Sequence, residues 1–314
     1  MGYHLYGEEV TLFDLPASAA DPGVAAVVAE LSRLDPGGSR MAKVFRSTFD
    51  QLYDGQRTGR YSVEQLFKTE KTHFGTLIEI NLQRELKFAD GDVLDFKIAE
   101  LEVDCKYSHT GAWMLPMESF GKLILVTQAD DQRSLWSAGV VRVTEENRRT
   151  SENRDKKTGL NAHGRSQIAW LFKDAPMQPN ALLQLPPTAV AEIMSGRSGQ
   201  ARLNELFRQA TNRRLSRNIV ATVAQQDDYM KRVRENGGSR SALRPEGYLI
   251  LGGDYFIQRD IAAALGAVVP EPGELVSVLV VPAPPEEGVG IDGGWWRLAA
   301  PDEQIDLPAP VLPR

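Results

Sequence analysis

The spacing of the apolar residues changes near residue 90, and this change constrains the fold more than any other feature of the sequence. In residues 62–86 apolar side chains recur every three or four positions, which predicts a helix with Glu79 in its second half. After Asp90-Gly91-Asp92 apolar and polar residues alternate, which predicts one strand around Phe96 and Ile98 and a second over residues 101–107. A helix followed by paired strands indicates a mixed α/β, or α+β, domain.

Further predicted elements fill both halves of the chain. Helices are expected over residues 24–34 and 41–53, and strands over 123–126 and 137–143. The second half predicts helices over 189–194, 200–215 and 227–236, then a strand over 248–251. A chain of 314 residues, 42% of them hydrophobic, suits two domains. The proline-containing break at 174–179 divides them into residues 1–173 and 174–314.

The composition excludes several classes of protein. No apolar run approaches the length of a membrane span, and the N-terminus lacks the pattern of a signal peptide, so we expect a soluble, cytoplasmic protein without a membrane partner. The single cysteine, Cys105, has no partner for an internal disulfide. The four histidines show no zinc-ligand spacing, which argues against structural zinc.

The charge is distributed unevenly along the chain. The formal net charge is −6, which taken alone argues against a surface built to bind phosphates. Residues 197–244, however, contain eleven Lys or Arg and only four acids. This basic segment predicts a surface that contacts a polyanion.

The tripeptide Asp-x-Lys occurs three times, at 95–97, 104–106 and 155–157. The third copy lies in a polar, charged stretch and is interpreted as a solvated loop. The first two belong to the predicted hairpin. If its turn is Ala99-Glu100, then Asp95 and Asp104 face each other across the strands, where two carboxylates about 5 Å apart repel by roughly 3 kcal/mol.

A divalent cation would remove that repulsion. Mg²⁺ takes a few carboxylate oxygens, keeps several waters and leaves positions for a scissile phosphate. Lys106 points to the same face as Asp104 and is a candidate to orient the attacking water or offset charge on the phosphate. Glu79 is the candidate third carboxylate. The pattern thus indicates a Mg²⁺-dependent phosphodiesterase with Glu79, Asp95, Asp104 and Lys106.

Two alternatives remain open for these residues. The hairpin could be half-exposed, with solvated acids and a surface pair between Lys97 and Glu102. Ala99-Glu100 is also a poor two-residue turn, and one more loop residue would break the register of the aspartates.

Basic residues predict the DNA contacts. The string at 52–57 is similar to the nucleotidyltransferase signature of DNA ligases, but Leu52 stands in place of the nucleophilic lysine, so ligase chemistry is excluded. Arg57 and Arg60 there remain candidates for phosphate contact. Basic helices in the second half are typical of a helix-turn-helix domain. The candidates chosen there by charge and placement are Arg202, Arg208, Lys231, Arg232 and Arg240.

Several longer strings resemble one family, the NaeI-type restriction endonucleases. They are Gln51-Leu52-Tyr53-Asp54-Gly55-Gln56-Arg57-Thr58-Gly59-Arg60, Lys68-Thr69-Glu70-Lys71-Thr72-His73, Glu79-Ile80-Asn81-Leu82, Val103-Asp104-Cys105-Lys106, Gly111-Ala112-Trp113-Met114-Leu115-Pro116, Ala221-Thr222-Val223-Ala224-Gln225-Gln226-Asp227-Asp228 and Leu243-Arg244-Pro245-Glu246-Gly247. The resemblance extends over residues 34–252.

The resemblance implies more than the residue pattern does. It implies a PD-(D/E)xK endonuclease domain, a C-terminal winged-helix-like helix-turn-helix domain and a homodimer. It places the family's magnesium-site motif on Glu79, Asp95, Asp104 and Lys106. It also implies type IIE behaviour, in which a second DNA site at the C-terminal domain stimulates cleavage of double-stranded DNA at a short palindrome.

Two rival functions stand beside restriction. A non-catalytic DNA-binding regulator needs only the basic segment and leaves the aspartate pair unexplained. A repair nuclease of the same fold would cut at lesions or mismatches and would not need a palindrome.

Overall fold

The computed structural model describes residues 21–150 and 157–313, and the chain divides into two compact units. The first contains the described residues up to Phe49 together with Lys68–Gln178, and the second contains Asp50–Phe67 and the described residues from Pro179 onward. The short segment Asp50–Phe67 therefore joins the unit that lies later in the sequence. Of the third Asp-x-Lys copy, Asp155 and Lys156 lie outside the described residues.

Apart from one short helix at Gly55–Thr58 that was not predicted, the helices in the first 90 residues follow the predicted pattern closely. They are α1 (Pro22–Leu34), α2 (Ser39–Tyr53), α3 (Gly55–Thr58) and α4 (Lys68–Leu86). Asp21 begins α1 because its side chain accepts hydrogen bonds from the first backbone amides, and Pro22 suits the first helical position. The predicted helix over 62–86 is shorter at its start, where Val63–Gln65 form a separate 3-10 turn. A stripe of Phe74, Ile78, Leu82 and Leu86 buries one face of α4.

The first unit contains a mixed six-stranded sheet. Its strands and the small elements beside it are β1 (Ala89–Asp90), β2 (Phe96–Ile98), β3 (Leu101–Tyr107), β4 (Met114–Leu115), β5 (Leu123–Asp130), β6 (Leu135–Arg142), β7 (Thr158–Gly159), α5 (Ala162–Ser166) and β8 (Ala169–Pro176). The sheet order is β1-β2-β3-β5-β6-β8, and only the pairing of β3 with β5 is parallel. The strands β4 and β7 form a separate antiparallel pair.

The centre of this sheet is buried on both faces. Consecutive residues of β5 and β6 are almost all buried, and the continuous apolar run over 123–126 is typical of a strand covered on both faces. Phe45 of α2 packs on Trp136 of β6 with ring centroids 5.2 Å apart. Because β8 continues to Pro176 and pairs with β6, the boundary predicted at 173/174 falls inside a strand of the first unit.

The second unit combines short helices with an antiparallel sheet. In chain order after Pro179 it contains α6 (Pro187–Ser195), α7 (Gly199–Gln209), β9 (Leu215–Ser216), α8 (Arg217–Ala224), α9 (Ser239–Leu243), β10 (Tyr248–Gly252), α10 (Phe256–Ala264), β11 (Glu274–Pro282), β12 (Val289–Ile291) and β13 (Gly294–Leu298). The sheet order is β10-β11-β13-β12, with β9 paired to β11. One core, which includes Leu203, Phe207 and Val220, packs the helices against each other, and a second core underlies the sheet.

Two predicted helices of this unit are wrong in extent or type. The helix expected over 200–215 ends at Gln209, because the next residues turn toward β11 and the Asn212 amide donates to the Ser277 carbonyl at 2.7 Å. The α-helix expected over 227–236 is only a 3-10 turn, Tyr229–Val233. Its sole buried residue is Val233, so this stretch lacks the apolar face that stabilises a longer helix.

The described residues include no helix long and apolar enough to cross a bilayer.

Candidate active site

The hairpin of β2 and β3 brings two aspartates together. Its turn is Ala99-Glu100, with φ angles of 51° and 60°, the left-handed pair that a type I′ turn requires. The register pairs Ile98 with Leu101 and Lys97 with Glu102. The predicted two-residue turn is therefore confirmed. The last paired residues are Phe96 and Val103, and continuing the same register by one residue places Asp95 opposite Asp104.

Asp95 and Asp104 share one partly buried environment. Asp104 is only 4% exposed, and its Oδ2 accepts a hydrogen bond from the Ser119 hydroxyl at 2.6 Å. The Oδ2 atom of Asp95 accepts from the Cys105 amide at 2.7 Å. Burial, followed by the hydrogen bond with Asp104, raises the pKa of Asp95 to about 7. The pair therefore resists carrying two negative charges without a cation.

Lys106 supplies one positive charge to this pair. Its Nζ donates to Asp104 Oδ1 and to the Cys105 carbonyl, the latter at 3.1 Å, and lies 3.8 Å from Asp95 Oδ2. Burial opposes the charge on Lys106, but the hydrogen bond with Asp104 and the two carboxylate charges together raise its pKa. The ammonium group is therefore held charged beside the aspartates.

Glu79 lies within the electrostatic influence of this cluster. Burial raises its pKa most, Lys106 acts in the opposite direction, and the charge of Asp104 raises it further. Among residues 21–150 and 157–313, however, no three Asp, Glu, His or Cys side chains are grouped closely enough to hold a metal ion. The structure thus joins Asp95, Asp104 and Lys106 directly and leaves Glu79 outside that contact group.

The donor atoms at the hairpin have the chemistry that Mg²⁺ requires. They are hard carboxylate oxygens, and Mg²⁺ is commonly held by one or two carboxylates together with waters and substrate phosphates. The pair carries more negative charge than Lys106 neutralises, and its burial makes that excess costly. Asp95 and Asp104 therefore fit a Mg²⁺ ion without a third protein carboxylate.

Ser119 is a side-chain contact of the site that the sequence did not indicate. It is fully buried at the end of the 3-10 turn Met117–Ser119, fifteen positions after the aspartate that it contacts. No local pattern marks a serine of this kind, because its role depends on how the chain returns from β4 to β5.

Comparison with known proteins identifies the family of the chain. The family model described as restriction endonuclease NaeI matches residues 25–307. The type II restriction enzyme NaeI of Lentzea aerocolonigenes is 48% identical over 316 residues, which cover 96% of this chain and 98% of that enzyme. This chain belongs to the NaeI restriction endonuclease family. The predicted resemblance is confirmed, and family membership makes the protein a type II restriction endonuclease.

In this member of the NaeI family, three of the arginines predicted to contact DNA form hydrogen bonds or ion pairs within the second unit. Arg202 donates to the carbonyls of Gly196, Val223 and Ala224 at 2.7 to 3.1 Å. Arg208 forms a two-pronged pair with Glu246 at 2.7 and 2.8 Å.

The third of these residues, Arg240, donates to the Ile250 carbonyl at 3.0 Å and to the Gln258 amide oxygen at 3.1 Å. All three guanidinium groups therefore cross-link elements of the fold, a role that counting charges along the sequence cannot distinguish from DNA contact.

The side chains of the other four residues predicted to contact DNA differ in how far they are exposed to solvent. Lys231 and Arg232 lie in the 3-10 turn with side chains 63% and 40% exposed, and Asp228 is within 3.7 Å of both. The side chain of Arg57 is 84% exposed on α3. Arg60 instead donates to the carbonyl of Tyr53 at 3.2 Å. Arg57, Lys231 and Arg232 thus remain the more accessible cations.

Proposed function

We propose that this chain hydrolyses phosphodiester bonds of double-stranded DNA at the hairpin, with Asp95, Asp104 and Lys106 at the reacting phosphate and Mg²⁺ as cofactor. The observation that carries this proposal is the contact of two partly buried carboxylates with one ammonium group on neighbouring strands. A hairpin of solvated acids would not raise the pKa of Asp95, so the geometry favours a functional site over a surface one.

The roles follow from the contacts. Asp95 and Asp104 would hold Mg²⁺, and Glu79 would assist the ion or its water. When bound, the ion supplies a water of lowered pKa and stabilises charge on the phosphate. The charged Lys106 orients the water or offsets charge that develops on the phosphate oxygens. Ser119 and the Cys105 amide orient the two carboxylates by hydrogen bonds.

The first unit is proposed to be a PD-(D/E)xK endonuclease domain. A mixed sheet with α4 beside it and the acidic pair on a hairpin at β2 and β3 is consistent with this fold. Family membership supports the same proposal.

The second unit is proposed to bind a second DNA site through a winged-helix-like helix-turn-helix. Helix α8 follows an N-cap serine, Ser216, and is followed by Gln225. The left-handed φ of Gln225, 51°, turns the chain toward the 3-10 segment with Lys231 and Arg232. The side chain of Gln56 donates to Asp227 at 3.0 Å, which places the segment of Arg57 beside this turn. Exposed cations around one helix-turn segment suit phosphate contact.

Type IIE behaviour completes the proposal. We expect a cytoplasmic homodimer whose twofold axis matches a short palindrome, so that each catalytic site cuts one strand. Binding of another copy of the palindrome to the second units would stimulate cleavage.

The test is cleavage of a large, sequence-diverse DNA in Mg²⁺ by the wild type and by Asp104→Ala. Discrete fragments from the wild type, lost in the variant and lost on chelation of the metal, support the proposal, and their ends give the recognition sequence. Uncut DNA that is nonetheless shifted in a gel would support the regulator. Cleavage only at mismatches or lesions would support the repair nuclease.

A further inference from the structure

A basic pocket lies in the first unit, on the pair of strands β4 and β7. It has a volume of about 220 Å³, and its lining includes Trp113, Met114, Arg149, Lys157 and Arg165. None of these residues belongs to the hairpin that carries the aspartates. The pocket is therefore a second chemical feature of the same unit.

The backbone fixes Arg149 at this pocket. Met114 of β4 pairs with Gly159 of β7, and the amide of Arg149 donates to the Gly159 carbonyl at 2.8 Å. The Thr158 hydroxyl donates to the Arg149 carbonyl, also at 2.8 Å. The position of Arg149 is thus set by hydrogen bonds to both its backbone amide and its backbone carbonyl.

Arg165 reaches the pocket from α5, which is held close to the same stretch of chain. Asn161 caps the helix, and its side-chain amide donates to the carbonyls of Glu146 and Arg148 at 2.8 and 3.0 Å. A Cβ atom at Gly164 would lie 2.1 Å from the Asn147 carbonyl oxygen, so only glycine permits this approach. The two arginines are therefore carried by one rigid frame.

Two arginines of the pocket have no carboxylate partner among the described residues. Arg149 and Arg165 both line it, and no described acidic residue does. Other arginines of the first unit are paired, since Arg142 pairs with Asp21 at 2.5 Å and Arg148 with Glu145 at 2.6 Å. Within residues 21–150 and 157–313, no carboxylate lies within ion-pair distance of Arg149 or Arg165. Two guanidinium groups at a concave site favour an anion.

The pocket is close to the aspartate pair along the chain. Met114 is in the pocket lining, and it lies five positions before Ser119, whose hydroxyl contacts Asp104. A stretch of five residues spans at most about 18 Å. With a rise of about 3.4 Å per nucleotide of one strand, that length corresponds to about five base pairs of duplex. A duplex at the aspartates therefore has backbone phosphates within reach of the pocket.

We propose that this pocket binds one backbone phosphate of the cleaved duplex, within about five nucleotides of the scissile bond, through Arg149 and Arg165. The inference rests on the proposed function, because it takes the duplex at the hairpin as its ligand. The bound phosphate fixes the register of the DNA, so the two arginines are positioning residues and take no part in bond breakage.

The test combines arginine variants with single neutral phosphates in the DNA. Duplexes that carry the recognition sequence, each with one methylphosphonate near the cut, are cleaved in Mg²⁺ under single-turnover conditions by the wild type, Arg149→Gln and Arg165→Gln. Arg133→Gln is the matched control, because Arg133 is exposed in the turn between β5 and β6 and does not line the pocket. Melting temperatures verify that each variant is folded.

The expected result has three parts. Each pocket variant raises the half-saturating DNA concentration about tenfold, the loss typical of one charge-assisted contact, without changing the rate at saturation. The slope of log affinity against log salt decreases by about 0.9 per lost phosphate contact. One methylphosphonate position weakens the wild type by a similar factor and adds nothing in the pocket variants.

Two results would overturn the inference in distinguishable ways. Pocket variants that match Arg133→Gln, or methylphosphonate effects that simply add to theirs, would refute the phosphate pocket while cleavage by the wild type stands. A wild type that cuts no duplex would refute the proposed function, and the pocket proposal with it.

Discussion

At the scale of single residues, the site depends on a charge imbalance that Lys106 only partly relieves. Two carboxylates share one ammonium group, and burial with the neighbouring Asp104 raises the pKa of Asp95 to about 7. The same imbalance attracts a divalent cation and makes the exact orientation of the carboxylates important.

Ser119 provides a test of that orientation. Ser119→Ala removes the hydroxyl that donates to Asp104 Oδ2, and we expect the cleavage rate at saturating DNA to fall about tenfold, with a loss of about 1 kcal/mol in stability. Single-turnover cleavage and thermal unfolding measure the two effects. Ser166→Ala is the control, because Ser166 is exposed and its hydroxyl donates to the His163 carbonyl. An unchanged cleavage rate in Ser119→Ala would contradict an orienting role.

At the scale of secondary-structure elements, α1 depends on one carboxylate. Asp21 accepts from the Gly23 and Val24 amides at 2.8 and 3.1 Å and pairs with Arg142 of β6. The hydrogen bond with Arg142 contributes most to lowering its pKa to about 2. The cap and the ion pair together attach α1 to β6 of the sheet.

This lowered pKa predicts a defined pH dependence of stability. A depressed pKa means that the folded state favours the charged carboxylate, so the contribution is complete above the ordinary value of 3.8 and is lost as the pH falls toward about 2. Asp21→Ala should lose about 1 to 2 kcal/mol at neutral pH through the cap alone. Asp21→Asn keeps a capping side chain and should lose less. Denaturant unfolding between pH 2 and 7 measures this, and equal losses at both ends would contradict the assignment.

Helix α4 and the hairpin could be predicted from the sequence because each has a clear period. The spacing of apolar residues placed Glu79 on a helix, and alternation predicted the two strands. The register of Lys97 with Glu102 followed only on the condition that the turn was Ala99-Glu100. The turn was doubtful from sequence, because Ala99 and Glu100 are unusual residues for left-handed φ angles. Tertiary pairing of the strands determines that conformation and outweighs the local preference.

Other parts of the fold depend on long-range contacts and could not be predicted. The 3-10 turn Tyr229–Val233 has helical composition but lacks an apolar face, and Ser119 reaches Asp104 only through the path of the chain after β4. Arg202, Arg208 and Arg240 showed the charge expected of DNA contacts, yet their partners are carbonyls and side chains distant in sequence. Sequence gives the charge of a side chain and not its partner.

At the scale of the whole molecule, the second unit contains cations of two kinds. Arg202→Ala removes three hydrogen bonds to carbonyls and should lower stability by about 3 kcal/mol. Lys231→Ala, on an exposed side chain, should leave stability within about 0.5 kcal/mol and decrease the salt slope of DNA affinity by about 1. Thermal unfolding and DNA titrations over a range of salt concentrations measure both, and a reversed pattern would contradict these roles.

The two Asp-x-Lys copies of the hairpin allow the most direct test of the central claim, that DNA is cut at Asp95, Asp104 and Lys106. Lys106 contacts both aspartates, whereas Lys97 pairs with Asp92 at 2.6 Å. The measurement is the single-turnover cleavage rate in Mg²⁺ of Lys106→Ala beside Lys97→Ala. We predict a loss of at least about a hundredfold in Lys106→Ala and a rate near that of the wild type in Lys97→Ala. Equal rates in the two variants, with both folded, would contradict the account.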